Sequence, residues 1–254
     1  MSVSGSFYPD TKKETLRYFE HFSSLIQEIS LPSSKIIIVP HAGYIYSGFT
    51  ANIAYNVLKN SSIKNFLVIG PSHRIAFDGS SVCDFNSYDT PFGKIQSDKN
   101  TIEELKSKLN INSYLQAHHE HSTEVQFPFI KHYIPDAKII ELVYSKEDPK
   151  ELSKIIKYIY EKKDWGIIIS TDLSHFYKLS DANSLDNICI DAIKNLNIDL
   201  LHKGCEACGI IGVEAMLLTA KELNLKSEIL DYRTSADVSG DNSNVVGYLS
   251  AYFK

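Results

Sequence analysis

Short runs of β-branched residues alternate along the chain with longer stretches in which apolar positions recur every three or four residues. That alternation predicts an α/β sandwich with a central, mainly parallel or mixed sheet flanked by helices. Strands are expected at 35–39, which stops at Pro40, at 65–69, which closes on Gly70-Pro71, and at 138–143, 165–170, 227–232 and 245–253. Residues 81–95 read as an irregular hairpin. The first helix is expected from a cap at Asp10 to about 29, with Leu16, Phe19, Phe22 and Leu25 or Ile26 on one face. Further helices are expected at 47–59, 98–109, 149–162, 182–196 and 212–223. Ser122 would cap another over 123–133, which Pro128 should kink or shift. No linker-like composition divides residues 1–254, so the expectation is one domain.

Three of these strands run into similar loops: Pro40-His41-Ala42-Gly43-Tyr44, Gly70-Pro71-Ser72-His73 and Thr171-Asp172-Leu173-Ser174-His175. Ligand sites of open α/β sheets lie beyond the carboxyl ends of the strands. Parallel strands would therefore bring His41, His73, Asp172 and His175 to one edge. Neutral imidazole is the commonest metal-binding side chain, and two histidines plus one further donor leave positions open for substrate or oxygen. A single histidine after a strand is more often a hydrogen-bonding residue; three such ends in one chain make a metal pocket a balanced alternative.

The densest histidine cluster is His118-His119-Glu120-His121, followed by Ser122-Thr123-Glu124, a capping-box pattern. His121 and Glu124 are read as pocket wall or as partners of the ligands, and His118 and His119 as surface. Cys205-Glu206-Ala207-Cys208 lacks the second pair that a zinc ribbon needs, and its flanks do not fit a thioredoxin-like fold. Cys83 and Cys189 read as core. The stretch 43–50 has the glycines of a phosphate loop but Phe49 in place of its lysine, which rejects that reading. Residues 232–241 read as a surface loop.

Composition excludes more than it selects. Hydrophobic residues make up 43% and charged residues 22%, with a formal net charge of −5. That is an ordinary folded chain without a broad nucleic-acid-binding face. No apolar run is long enough to cross a membrane, and no secretory signal precedes the first helix. Four cysteines do not make a disulfide framework, so the expected compartment is the reducing cytoplasm.

Seven short motifs, in order, carry a resemblance: Gly5-Ser6-Phe7-Tyr8-Pro9, Pro40 to Tyr44, Gly70 to His73, His119 to Glu124, Ser170 to His175, Ala207-Cys208-Gly209 and Tyr232-Arg233-Thr234-Ser235. Together they resemble the Memo family, whose prokaryotic members are also called AmmeMemoRadiSam system protein B. The family is structurally similar to class III extradiol ring-cleaving dioxygenases, which are non-haem iron enzymes. The resemblance implies that His41, His73 and Cys208 hold a metal, iron or copper with zinc as a further option. It implies that His175 is an acid/base residue with Asp172 beside it, and that His121, Glu124 and Tyr44 line or support the pocket. Cysteine stands where the related dioxygenases use a carboxylate, so efficient catechol cleavage is not expected. The implied function is a metal-dependent oxidoreductase acting on a small organic substrate; the alternative is a non-catalytic metal- or peptide-binding protein using the same pocket. Implied partners are a small-molecule or peptide ligand, a radical-SAM protein and an AMMECR-type protein of the same system. Cys208, ahead of a helix N-terminus, is expected to be a stabilised thiolate; Cys205 is either its resolving partner or, as is commoner for cytosolic cysteines, a core residue that plays no part.

Overall fold

The computed structural model describes residues 1–26 and 30–254. The strands are β1 (Ile36–Val39), β2 (Asn65–Pro71), β3 (Ser80–Val82), β4 (Ser87–Tyr88), β5 (Ile95–Ser97), β6 (Lys138–Tyr144), β7 (Trp165–Ser170), β8 (His175–Tyr177), β9 (Ser227–Thr234) and β10 (Val245–Phe253). The helices are α1 (Lys12–Leu25), α2 (Tyr44–Lys59), α3 (Lys99–Leu109), α4 (His121–Glu124), α5 (Phe127–Tyr133), α6 (Pro149–Tyr160), α7 (Leu179–Lys194), α8 (Ile198–Leu201), α9 (Ile210–Glu222) and α10 (Ala236–Ser239). The strands form one mixed sheet in the order β4-β5-β6-β2-β7-β1-β10-β8, with β3 paired to β6 and β9 to β10. Its centre, β6-β2-β7-β1, is parallel; β10 joins β1 antiparallel.

The central strands read as unbroken apolar runs because both faces are covered. Ile36, Ile38, Leu67, Ile69, Ile167 and Ile169 pack on one face among residues of α6 and α9. The alternate positions Ile37, Val39, Phe66, Val68 and Ile168 pack on the other, with Phe19 of α1 and Tyr55 and Leu58 of α2. A period of two thus divides each strand between two cores.

Most expected elements are present, with shifted ends. α1 is capped by Thr11 rather than Asp10, and its expected end near residue 29 lies outside the described residues. α2 starts three residues early, at Tyr44, directly after Gly43. The helix expected over 123–133 is two pieces. Glu120, not Ser122, caps the first, its carboxylate accepting the Ser122 N–H, and Pro128 sits in the first turn of the second. Proline is tolerated there because first-turn amides have no intrahelical acceptor. Asp98 and Asp148 cap α3 and α6. The stretch 232–241 completes β9 and forms α10 instead of a plain loop. Among the described residues, no helix is long and apolar enough to cross a membrane.

Candidate metal centre

Because β1, β2 and β7 run parallel, their carboxyl ends deliver His41, His73 and Asp172 to one edge of the sheet. α4 crosses the same edge and brings His121. It lies close on β2 because Gly70 has no side chain: a Cβ there would stand 2.5 Å from Ser122 Oγ and 2.9 Å from Thr123 Cγ2. The Ser122 hydroxyl donates to the Pro71 carbonyl at 2.8 Å and fastens the crossing.

His41, His73 and His121 offer ring nitrogens that all lie within 4.8 Å of one another. In each ring the protein engages Nδ1. His73 Nδ1 lies 3.1 Å and His121 Nδ1 2.8 Å from Glu120 Oε1, and the His73 backbone N–H donates to Glu120 Oε2 at 2.7 Å. Burial alone would raise the pKa of Glu120, but these hydrogen bonds prevail and hold the carboxyl well below the usual carboxylate range. A carboxylate accepts only, so it selects the Nδ1–H form of both rings. His41 Nδ1 lies 2.9 Å from Ser170 Oγ. That hydroxyl donates its proton to the Ser122 carbonyl at 2.5 Å and therefore accepts from His41. The consequence is three imidazoles whose Nε2 lone pairs are left for a shared ligand.

Cys208 completes this edge. Its Sγ lies 3.3 Å from His41 Nε2 and accepts the Asp172 N–H at 3.3 Å. The close approach depends on Gly209, where a Cβ would meet Thr171 Cβ at 2.6 Å. Burial, then the Asp172 carboxylate, pushes the Cys208 thiol up to about 12. Without a cation the group is therefore a thiol. The thiolate expected from the helix N-terminus is not stabilised, because α9 begins two residues later and desolvation is the larger effect.

Other expected placements change. Asp172 does not pair with His175. Its Oδ1 accepts the His41 N–H at 2.7 Å and its Oδ2 lies 4.0 Å from His41 Nε2. His175 opens β8 and pairs with Val246 of β10, close enough to Asp186 to favour that carboxylate's charge. Glu124 faces the N-terminal segment, accepting from Ser2 N–H, Val3 N–H and the Tyr8 hydroxyl. Tyr44 is buried and donates to the Val125 carbonyl. Both therefore brace the loops under the site rather than line it. His119 is exposed as expected, but His118 is buried, with its Nε2 2.9 Å from Ser81 Oγ. Cys205 is joined in a disulfide to Cys189, sixteen residues earlier, and so is not the partner of Cys208. Sequence reasoning missed Glu120. Its signal was a carboxylate flanked by two histidines directly ahead of Ser122-Thr123, a place where it can reach two rings at once.

Known proteins resemble the chain along nearly its whole length. The chain is 33% identical to a MEMO1 family protein of Thermoplasma volcanium, covering 98% of this chain and 96% of that one. It is 33% identical to another from Methanobrevibacter smithii, over 100% and 98%. A third, from Aquifex aeolicus, is 31% identical over 99% and 97%. A crystal structure of an uncharacterized Escherichia coli K12 protein superposes with a TM-score of 0.56, covering 85% of this chain and 98% of that one; at 11% identity it speaks for the fold alone. With the Memo-like protein family model matching residues 1–252, the chain belongs to the Memo family.

Proposed function

We propose that this protein is a metal-dependent oxidoreductase acting on a small organic substrate at the edge that holds His41, His73, His121 and Cys208. The observation that carries the reading is that Glu120 and Ser170 set the tautomers of three converging imidazoles, an arrangement that orients metal ligands. The donor set of imidazoles with an adjacent sulfur suits iron or copper, and accepts zinc. A redox-active ion bound there supplies one-electron chemistry. The chain's own residues do the rest. Asp172 holds the His41 backbone, Glu120 keeps His73 and His121 in register, and the Cys208 thiol gives up its proton to become a ligand. His175 is assigned proton transfer, acting from β8 without Asp172 as its partner. Ile45 and Tyr46 at the start of α2, Phe176 of β8 and Val238 of α10 are exposed apolar residues and suit an organic ligand.

Anaerobic loading with Fe(II) or Cu(I), followed by elemental analysis, tests the pocket. His41→Ala and His73→Ala should each abolish stoichiometric metal, whereas His175→Ala should retain metal and lose turnover with a substrate panel under oxygen. Full occupancy in both ligand variants sinks the assignment. Simple catechols should not be opened efficiently by the iron-loaded protein, because a sulfur donor replaces the carboxylate of ring-cleaving sites. The second reading, a binding protein, is favoured by the same exposed apolar residues. It would show as peptide or metal affinity with no oxygen consumption by any loaded form.

A further inference from the structure

A second group of metal-ligating side chains lies on the other side of α4. Cys83, His118 and Glu141 are all buried and offer ligand atoms within 4.8 Å of one another. Each of the last two has one polar atom fastened and the other free. Glu141 Oε1 accepts from the Thr123 hydroxyl at 2.5 Å, and His118 Nε2 lies 2.9 Å from Ser81 Oγ. Among the described residues Glu141 Oε2 and His118 Nδ1 have no hydrogen-bond partner, although they stand only 3.1 Å apart. Their approach is close but not directed at each other. The buried Tyr88 hydroxyl lies beside Cys83 and Glu141 and makes no well-formed hydrogen bond among the described residues. Unsatisfied polar atoms in a core cost about 1–3 kcal/mol each, so two of them beside a buried cysteine call for a ligand.

We propose that Cys83, His118 and Glu141 form a second metal site, separate from the three-histidine pocket, that takes a zinc-type divalent cation. Sulfur, imidazole nitrogen and carboxylate oxygen are the donors that zinc accepts, at about 2.0–2.3 Å, and small side-chain adjustments bring these atoms to that range. The Tyr88 oxygen or a water supplies the fourth position. Charge favours the assignment: one thiolate and one carboxylate neutralise a divalent cation, leaving no net charge in the core. The Cys83 proton leaves to solvent as sulfur binds. Burial pushes that thiol up to about 12, with Glu141 adding to the effect, so the cation must displace the proton. The tautomer is consistent, because Ser81 Oγ already accepts the Tyr114 N–H and can accept from His118 Nε2 as well, leaving Nδ1 for the metal. A cleft of about 410 Å³ bounded by Ser2, Phe85, Tyr88, His118 and His119 reaches the group from the surface. Thr123 lies on α4 between His121 and the Glu141 carboxylate, so a filled site would stiffen the element that carries His121.

The test uses the full chain carrying His41→Ala and Cys208→Ala, which removes the first site and its sulfur, produced in cobalt-supplemented medium. One cobalt per chain is expected, with thiolate-to-cobalt charge transfer and tetrahedral d–d absorption, displaced by added zinc. Adding Cys83→Ser should abolish the charge-transfer band. Adding the isosteric Glu141→Gln should weaken cobalt binding at least tenfold while circular dichroism stays unchanged, which covers the case in which Cys83→Ser does not fold. A cobalt-free double variant, or a charge-transfer band that survives Cys83→Ser, would overturn the proposal. So would undiminished binding in a folded Glu141→Gln protein.

Discussion

At His41 a backbone amide, two ring nitrogens and a hydroxyl partner converge, and burial decides how the ring titrates. Desolvation is the largest effect and pulls its pKa from 6.5 down to about 4, against the opposing pull of Asp172. Between those values the unfolded chain binds the proton and the fold does not. The stability that rests on a neutral His41 is therefore complete above pH 6.5 and is lost as the pH falls toward 4. The expected loss is on the order of 3 kcal/mol, from about 1.4 kcal/mol per pKa unit. Urea unfolding of chelator-treated protein between pH 7 and 4 measures it. His41→Gln, which has no proton to gain there, should flatten that part of the profile. An unchanged slope would mean that His41 takes up its proton in the fold without cost. Glu120, held below the ordinary carboxylate range, adds its own loss only below its unfolded value of 4.5.

Among the elements, α4 shows most clearly what the sequence could and could not reveal. The histidines at the ends of β1 and β2 were legible, because a β-branched run that stops at Pro-His or Gly-Pro-Ser-His marks the carboxyl edge of a parallel sheet. His121 and Glu120 were only half legible. Their role follows from the closeness of a four-residue helix to Gly70, a contact between positions about fifty residues apart that no local pattern encodes. The same blindness turned His118 into a surface residue and left Cys205 open between a partner of Cys208 and a core residue, with Cys189 unseen as its partner. Capping ran against residue type: Asp10 and Ser122 are the better caps by type, yet Thr11 and Glu120 accept the first-turn amides because of where the chain places them. The close approach at Gly70 can be probed directly. Gly70→Ala should lower stability by about 1–3 kcal/mol through overpacking. It should also weaken metal binding at the three histidines, since α4 must lift to make room. Calorimetric titration of the folded variant decides it; wild-type affinity would show that α4 yields without moving His121.

For the whole molecule, stability and the candidate site are separable in one respect. The Cys189–Cys205 bridge ties α7 to the segment before α9 and lies in the core on the face opposite α1 and α2. Closing a loop of this length is worth about 3 kcal/mol in the chain-entropy account. Cys189→Ala, or reduction of the wild type, should lower the unfolding midpoint accordingly while leaving metal stoichiometry intact, as read by denaturation beside elemental analysis. Loss of metal on reduction would instead tie the bridge to the placement of Cys208.

β1 has only four residues, and its neighbours come from far along the chain: Ile36 faces Ile167 on one side and Phe253 on the other. Pairings of such long range are slow to form, because loop closure must precede their reward. The strand that presents His41 therefore settles only when the sheet as a whole has closed. A collapsed, half-organised chain has no assembled set of imidazoles to offer, so metal cannot template the early steps of folding. In a refolding time course, capture of a coloured ion should lag the recovery of helical signal and coincide with the last kinetic phase.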